Sequence, residues 1–407
     1  MVDGSISEYQ MDRRSFLTAG TGLVAAGAAA TAALTGGSRS AYAGSRNSPN
    51  IYDFGAVGDG NTDDSGAFTK ALTYASQNGG MVIVPAGSYA IANTIAVTVT
   101  NNTGRAWGLQ CEGATLYSKI SNGSDVILLS STAIVRYFRL VGGMSITGNG
   151  SEANGLHIQV NTNGPSFYNF LIEGLSVERC GQNGGLFEGN VFECAVENSY
   201  FQDNGQDGFM LANHSGGVIS TVHFVNCYLN QNGRYGLSTV SFDGQYGGPQ
   251  DVNVFGGYIR NNQSYGLYLN NGTGTHWIQH AEFENNCASL QPGDPNGAHV
   301  YALTNVNMRD CVGFDMTGGA TYLLRGWWMQ LTCLDGCSNW SDGPMAQTGA
   351  TRLVQINGNG NAHVVMNQCG GGFDGVSGCG VTWQAINCGG PSPAGDLNIR
   401  GTMSGTF

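Results

Sequence analysis

From Leu171 onward the chain repeats one pattern of apolar and polar positions. LIEGLSVERCGQNGGLF from Leu171, AVENSYFQDNGQDGFML from Ala195, HFVNCYLNQNGRYGLST from His223 and NVFGGYIRNNQSYGLYL from Asn253 each hold two alternating runs parted by an Asn/Gly turn. WIQHAEFENN from Trp277 follows the first half of the same pattern. The anchoring apolar residues Ile172, Val196, Phe224, Val254 and Ile278 stand 24, 28, 30 and 24 residues apart. Alternation puts successive side chains on opposite faces of a strand. Short strands at this repeat length predict a parallel β-solenoid with one coil per repeat. A propeller blade needs about four strands in 40 or more residues, which these segments do not hold.

Aligned as coils, the segments form columns. Asn204, Asn232, Asn262 and Asn286 share one turn position with Cys180, and stacked asparagines at the ~4.8 Å strand spacing can bond turn amides that no sheet ladder reaches. Val177, Phe201, Leu229, Ile259 and Phe283 predict one inward column, and Ser199, Cys227, Gly257 and Ala281 another. After the turn, Leu186, Phe209, Leu237 and Leu267 predict a third.

Ahead of the coils, the segment from Asn50 to Ile91 changes period. Ala67, Phe68, Ala71, Leu72 and Ala75 fall on one helical face, Thr62 or Asp63 can cap it, and Gly79-Gly80 ends it before a strand at Met81 to Val84. A solenoid exposes its core at its ends, so this helix is expected to be a lid.

The first 43 residues read as an address. Arg13-Arg14-Ser15-Phe16-Leu17 is a twin-arginine pattern, followed by a weakly apolar run from Gly20 to Leu34 and the small-residue site Ala41-Tyr42-Ala43. Cleavage is expected after Ala43, with Met11 as an alternative start. An N-terminal anchor is the competing reading, and the Ala and Gly of the run count against it. The expected location is therefore the periplasm or the exterior. The remainder, 44–407, is expected to be a single all-β domain, a right-handed parallel β-helix capped at about 50–90, regular over about 170–290 and irregular over about 291–407.

Composition narrows the partners. Charged residues are 11% of the 407, Gly numbers 65, and the 41% hydrophobic content can bury a core, which excludes a disordered chain. The net charge of −12 argues against nucleic acid and anionic membrane, and mildly against a polyanionic substrate. All 11 cysteines follow the address; Cys333, Cys337, Cys369, Cys379 and Cys388 are the expected bridge formers, and no His stands at zinc-ligand spacing from Cys333-x-x-x-Cys337.

Asp53, Phe54, Gly55, Ala56, Gly58, Asp59, Gly60, Thr62, Asp63, Asp64, Ala67, Phe68, Gly80, Pro85, Gly87 and Tyr89 together resemble the N-terminal signature of the pectate lyase superfamily. Polygalacturonase-like hydrolases, alginate epimerases and phage tailspike depolymerases share it, and the resemblance implies a parallel β-helix that acts on polysaccharides. Asp59, Asp63 and Asp64 are expected to form turns and caps. The catalytic signatures do not carry over: Asn-x-Asp, Asp-Asp, Gly-His-Gly and Arg-x-Lys are absent from the successive coils, and Asp294-Pro295-Asn296-Gly297 reads as a turn in place of an epimerase Asp-Pro-His-Glu.

The site is therefore read from columns. A strand from Ile278 to Glu284 would turn His280, Glu282 and Glu284 outward, beside Tyr258 and Arg260, then Tyr228 and Asn230, then Tyr200 and Gln202. For β-elimination, Arg260 would neutralise a uronate and Tyr258 or His280 would take the proton. For hydrolysis, Glu282 and Glu284 would serve as acid and base, since strand residues i and i+2 lie roughly 6.5–7 Å apart, within the ~6.5–9.5 Å of an inverting pair. Against both stands an ordinary solvated strand with an Arg260–Glu284 pair. Tyr200, Tyr228 and Tyr258, with Tyr235 and Tyr265 beyond the turn, are the expected sugar stripe, or else they only brace neighbouring coils. Glu188, Glu193, Glu197, Asp203 and Asp207 offer oxygens for calcium without a recognised loop, so no cofactor is expected. The reading is a polysaccharide-degrading enzyme, slightly favoured as a lyase, with an inverting hydrolase or a non-catalytic glycan-binding surface protein as rivals, and the oligomeric state open.

Overall fold

The computed structural model describes residues 48–101, 104–160, 164–214, 217–242, 248–270, 274–291, 294–316, 319–327, 329, 331–341, 352–357, 361–369, 372–375, 380–386 and 399–400. The twin-arginine pattern, the cleavage site, Cys379, Cys388 and Trp328 lie outside the described residues. No helix among the described residues is long and apolar enough to cross a membrane.

The strands pair in parallel into three sheets of 13, 11 and 12 strands, here sheets 1, 2 and 3. One coil shows the path: Ser166–Glu173 in sheet 1, Leu175–Glu178 in sheet 2, Gly185–Gly189 in sheet 3, then Val191–Glu197 back in sheet 1. This is the expected parallel β-helix. Helix α1 (Ser65–Asn78) buries Ala67, Phe68, Ala71, Leu72 and Ala75 against the first strands.

Each corner has a conformational cause. Between sheets 1 and 2, Gly174, Asn198, Asn226, Gly256, His280, Asp310 and Gly336 turn the chain with positive φ, a conformation cheap for Gly, Asn and Asp. Between sheets 2 and 3, Asp203, Gln231, Asn261 and Asn285 do the same, each just before a ladder asparagine. The ladder is continuous. Nδ2 of Asn204, Asn232 and Asn262 donates to Oδ1 of the asparagine on the next coil at 3.1, 2.9 and 2.8 Å, and Nδ2 of Asn286 meets His299 Nδ1 at 3.2 Å. Asn232→Leu is expected to destabilise by about 3 kcal/mol, because Asn204 Nδ2, Asn262 Oδ1 and the Phe201 carbonyl would lose buried partners at ~1–3 kcal/mol each, with some relaxation. Urea unfolding checks this, and a loss below about 0.5 kcal/mol would mean the ladder is not stabilising.

Several expectations need correction. Inward column three holds Gly185, not Leu186: Gly185 pairs with Phe209, Leu237 and Leu267 follow, and Leu186 pairs outward with Met210. A Cβ at Gly185 would meet the Phe209 ring at 2.2 Å, so the ring fills that space. The helix N-cap is Asp64, whose carboxylate instead accepts Val57 N–H at 2.7 Å and Gly58 N–H at 3.2 Å. Asp63 lies in strand Asp59–Asp63 and binds Ser65, Ala92 and Asn93. Cys333, Cys337 and Cys369 are free thiols, and Cys337 and Cys369 are buried. Registered pairing starts well before Leu171, at Gly80–Val84, and continues past 291 through Asn361–Asn367, so the regular part is longer than the repeats suggested.

Candidate functional site

Sheet 2 brings together most of the residues singled out above. Tyr200, Tyr228, Tyr258 and Glu282 are register partners on successive coils, and so are Gln202, Asn230, Arg260 and Glu284. The rings of Tyr200 and Tyr228 stack at 4.5 Å, and those of Tyr228 and Tyr258 at 6.2 Å. Stacked so closely, the inner rings show solvent their edges and cannot take a sugar between them. The Tyr258 hydroxyl donates to Glu282, while Arg260 lies 5.5 Å above the Tyr258 ring and 3.8 Å from Glu284. Burial and the Glu282 hydrogen bond push the Tyr258 phenol above its ordinary range, the wrong direction for a base. Burial also raises Glu284, against the opposing Arg260. Asn230 is buried beside them.

His280 does not join this face. With φ of 55° it forms the sheet 1–2 corner, and its Nε2 lies 3.5 Å from Asp310. The strand read from Ile278 to Glu284 is two strands, Thr275–Gln279 and Glu282–Glu284, broken where the chain bends. Tyr235 and Tyr265 sit at the edge of sheet 3, interleaved with Tyr268 and Tyr301 in stacks 4.7 and 4.8 Å apart.

Sheet 1 carries a constellation that the columns did not reveal. Asn169, Glu193, Thr221 and Asp251 adopt φ between 50° and 56° on four successive coils, within strands Ser166–Glu173, Val191–Glu197, Ile219–Val225 and Gln250–Phe255. Asn and Asp tolerate this conformation; Glu and β-branched Thr do so only under strain, of order 1–3 kcal/mol each. Just after this column stand the register partners Ala195, His223, Asn253, Trp277 and Asn307. Asn253 Oδ1 accepts Trp277 N–H at 3.1 Å and its Nδ2 donates to the Asp251 carbonyl at 3.0 Å. Those two backbone partners orient the amide, so the 3.4 Å contact to His223 Nδ1 makes that nitrogen an acceptor and leaves the proton on Nε2. Trp277 is 44% exposed and stands between asparagines, not other rings. An exposed carboxylate (Glu193), an oriented imidazole and a second carboxylate (Asp251) thus occupy three successive coils.

The carboxylates considered for calcium do not form one cage. Glu193 and Glu197 lie on sheet 1, Asp203 at a corner, and Glu188 and Asp207 on or beside sheet 3. Glu188 binds His157 Nε2 at 3.0 Å, and Asp125 binds His157 Nδ1 at 2.8 Å. Burial alone would lower His157, but the hydrogen bonds and charges of Asp125 and Glu188 outweigh it and raise the imidazole to about 9. Its contribution is therefore complete below the unfolded value of ~6.5 and is lost as pH rises through about 9, worth about 3 kcal/mol. His276 and His299 behave oppositely, lowered by burial to about 4 and about 3, so their contribution is present above ~6.5 and lost as pH falls. Urea midpoints measured from pH 5 to 9 should peak near ~6.5, and His157→Gln should flatten the alkaline limb. A midpoint that stays level from neutral to pH 9 in the wild type would contradict the charged His157.

Over 116 residues the chain is 30% identical to a probable rhamnogalacturonase B of Neosartorya fischeri, covering 28% of this chain and 21% of that protein. The match thus spans about a fifth of the fungal protein's length. Among solved structures, the tailspike protein gp49 from Pseudomonas phage LKA1 superposes with a TM-score of 0.53 at 11% identity, over 88% of this chain and 79% of that one. The catalytic unit of a GH87 α-1,3-glucanase from Streptomyces thermodiastaticus gives 0.50 at 15% identity, over 88% and 69%. These two likenesses show the shared coil architecture. The profile of the rhamnogalacturonase A/epimerase, pectate lyase-like family matches residues 48–290, well over half of the chain, and the chain belongs to that family.

Proposed function

We propose that this protein cleaves a polysaccharide by hydrolysis on the outer face of sheet 1, outside the cytoplasm, where its twin-arginine pattern would send it. Family membership and the glycan activities named for its relatives support the class of reaction. The observation that carries the location is the strained non-glycine column holding Glu193, Thr221 and Asp251, since such strain persists where function demands it. Glu193 and Asp251 stand two rungs apart, ~9.6 Å at the backbone, which side chains can bring within the ~6.5–9.5 Å of an inverting pair. The less exposed Asp251 protonates the leaving oxygen, and the exposed Glu193 activates water. His223 donates from Nε2 to a sugar hydroxyl, and Trp277 offers a ring face to a pyranose.

Elimination is less well supported, because Tyr258 is pushed the wrong way for a base and His280 stands at a corner. A second reading keeps hydrolysis on sheet 2, favoured by the raised Glu284 near the exposed Glu282. The full chain should be incubated with a panel of neutral and acidic polysaccharides. New reducing ends without near-ultraviolet absorbance are expected. Unsaturated, absorbing ends would replace hydrolysis by elimination, and no fragments at all would leave a glycan-binding protein without catalysis.

A further inference from the structure

We propose that the free end of the tyrosine ladder on sheet 2 is a separate, non-catalytic binding site for a neutral saccharide, seated on the open face of Tyr200. One face of this ring is covered by Tyr228 at 4.5 Å. On its other side the register partner is Ser176, and the same column continues through Ser145, Thr115 and Ser88. Tyr200 is 43% exposed, whereas Tyr228 and Tyr258 are half-buried by the stacking. An aromatic face therefore ends a strip of small, mostly hydroxyl-bearing residues, one per ~4.8 Å rung. A pyranose matches that surface, with C–H bonds against the ring and hydroxyls toward the strip.

The neighbouring column adds fixed polar groups. Glu178 is held by Thr147 Oγ1 at 3.2 Å, Arg179 at 2.9 Å and Gln202 Nε2 at 3.3 Å, so its carboxylate is a positioned acceptor. Beyond it lies an open depression of about 460 Å³ lined by Asn149, Arg179, Cys180, Asp203 and corner glycines. Charge selects the ligand class. The cation here, Arg179, is already paired with Glu178, and Asp203 adds a further carboxylate, so a uronate would be repelled where a neutral sugar is not. This wall is not the one that carries Glu193 and Asp251, so the site stands whether or not sheet 1 is catalytic.

Affinity electrophoresis of the full chain through gels containing galactan, dextran or xyloglucan, and separately polygalacturonate, tests the idea. Retardation by at least one neutral polymer is expected. Tyr200→Ala should weaken it at least ten-fold, and Tyr200→Phe should preserve most of it. Ser176→Ile is the decisive variant: it keeps Tyr200 and its stack, offers no ring of its own, and should abolish binding by covering the open face with a branched aliphatic side chain. Release of reducing ends from a short oligosaccharide should be unchanged in Ser176→Ile. The proposal is overturned if wild type is retarded by none of the neutral polymers, by polygalacturonate alone, or equally to Ser176→Ile and Tyr200→Ala. Loss of cleavage by wild type would count against the proposed reaction only.

Discussion

Asp251→Asn and Glu193→Gln are each expected to lower turnover by about 10³-fold, with the thermal midpoint nearly unchanged. General acid–base groups contribute typically ~10²–10⁴-fold, and both amides keep the shape of the side chain while removing its proton chemistry. Asn tolerates the left-handed conformation of position 251 as well as Asp does, so its backbone strain is not altered. The double variant should cost little more than either single one, because groups acting on one bond are not additive. His223→Ala should cost less, as it removes a donor to the sugar and not a proton-transfer group. Reducing-end kinetics on the best polysaccharide from the panel measure all four. If Glu193→Gln and Asp251→Asn turn over like wild type while Glu282→Gln or Arg260→Ala is inactive, the reaction centre belongs on sheet 2.

The coil architecture was legible because apolar alternation and the recurrence of Asn at one turn position are both written in residue type. Phe201, Leu229 and Ile259 could face only a core, and Asn204, Asn232 and Asn262 only one another. Leu186 was misplaced because a glycine occupied its column in that coil, with the Phe209 ring from the next coil supplying the missing volume. His280 was misplaced because its own type gives no turn signal; Asn198, Asn226 and Gly256 in the same corner column carried the signal that should have located it. The Glu193–Thr221–Asp251 column was illegible for a deeper reason. Left-handed backbone is read from Gly and Asn, and tertiary packing imposes it here on Glu and Thr. The Asp125–His157–Glu188 contact was equally hidden, since its members come from three coils that lack the repeat motif in common.

Asp207→Ala is expected to be the most destabilising single substitution considered, at about 3–5 kcal/mol, because it leaves two buried neutral donors unpaired at ~1–3 kcal/mol each and takes its partner from a partly exposed guanidinium. Asp207 is fully buried, and Arg234 grips it with Nε at 2.7 Å and a terminal nitrogen at 2.8 Å. The same carboxylate accepts the Tyr235 amide at 3.2 Å and the Ser238 hydroxyl, itself fully buried. Alanine therefore strands two neutral donors and a guanidinium, which Asp207 holds above its ordinary pKa. Asp207→Asn should cost less, because it keeps the shape and one acceptor oxygen. Arg234 also lies over the Tyr235 ring at 5.1 Å, so releasing it should loosen the Tyr235–Tyr268 stack on sheet 3. In a solenoid each coil leans on its neighbours alone, so the damage should stay local at first. Hydrogen exchange should accelerate in Phe209–Asn213 and Leu237–Ser241 before the N-terminal coils around Ile95–Val99 respond. Urea unfolding gives the magnitude; a loss under about 1 kcal/mol would place this pair with ordinary surface ion pairs and remove its claim to hold the coils together.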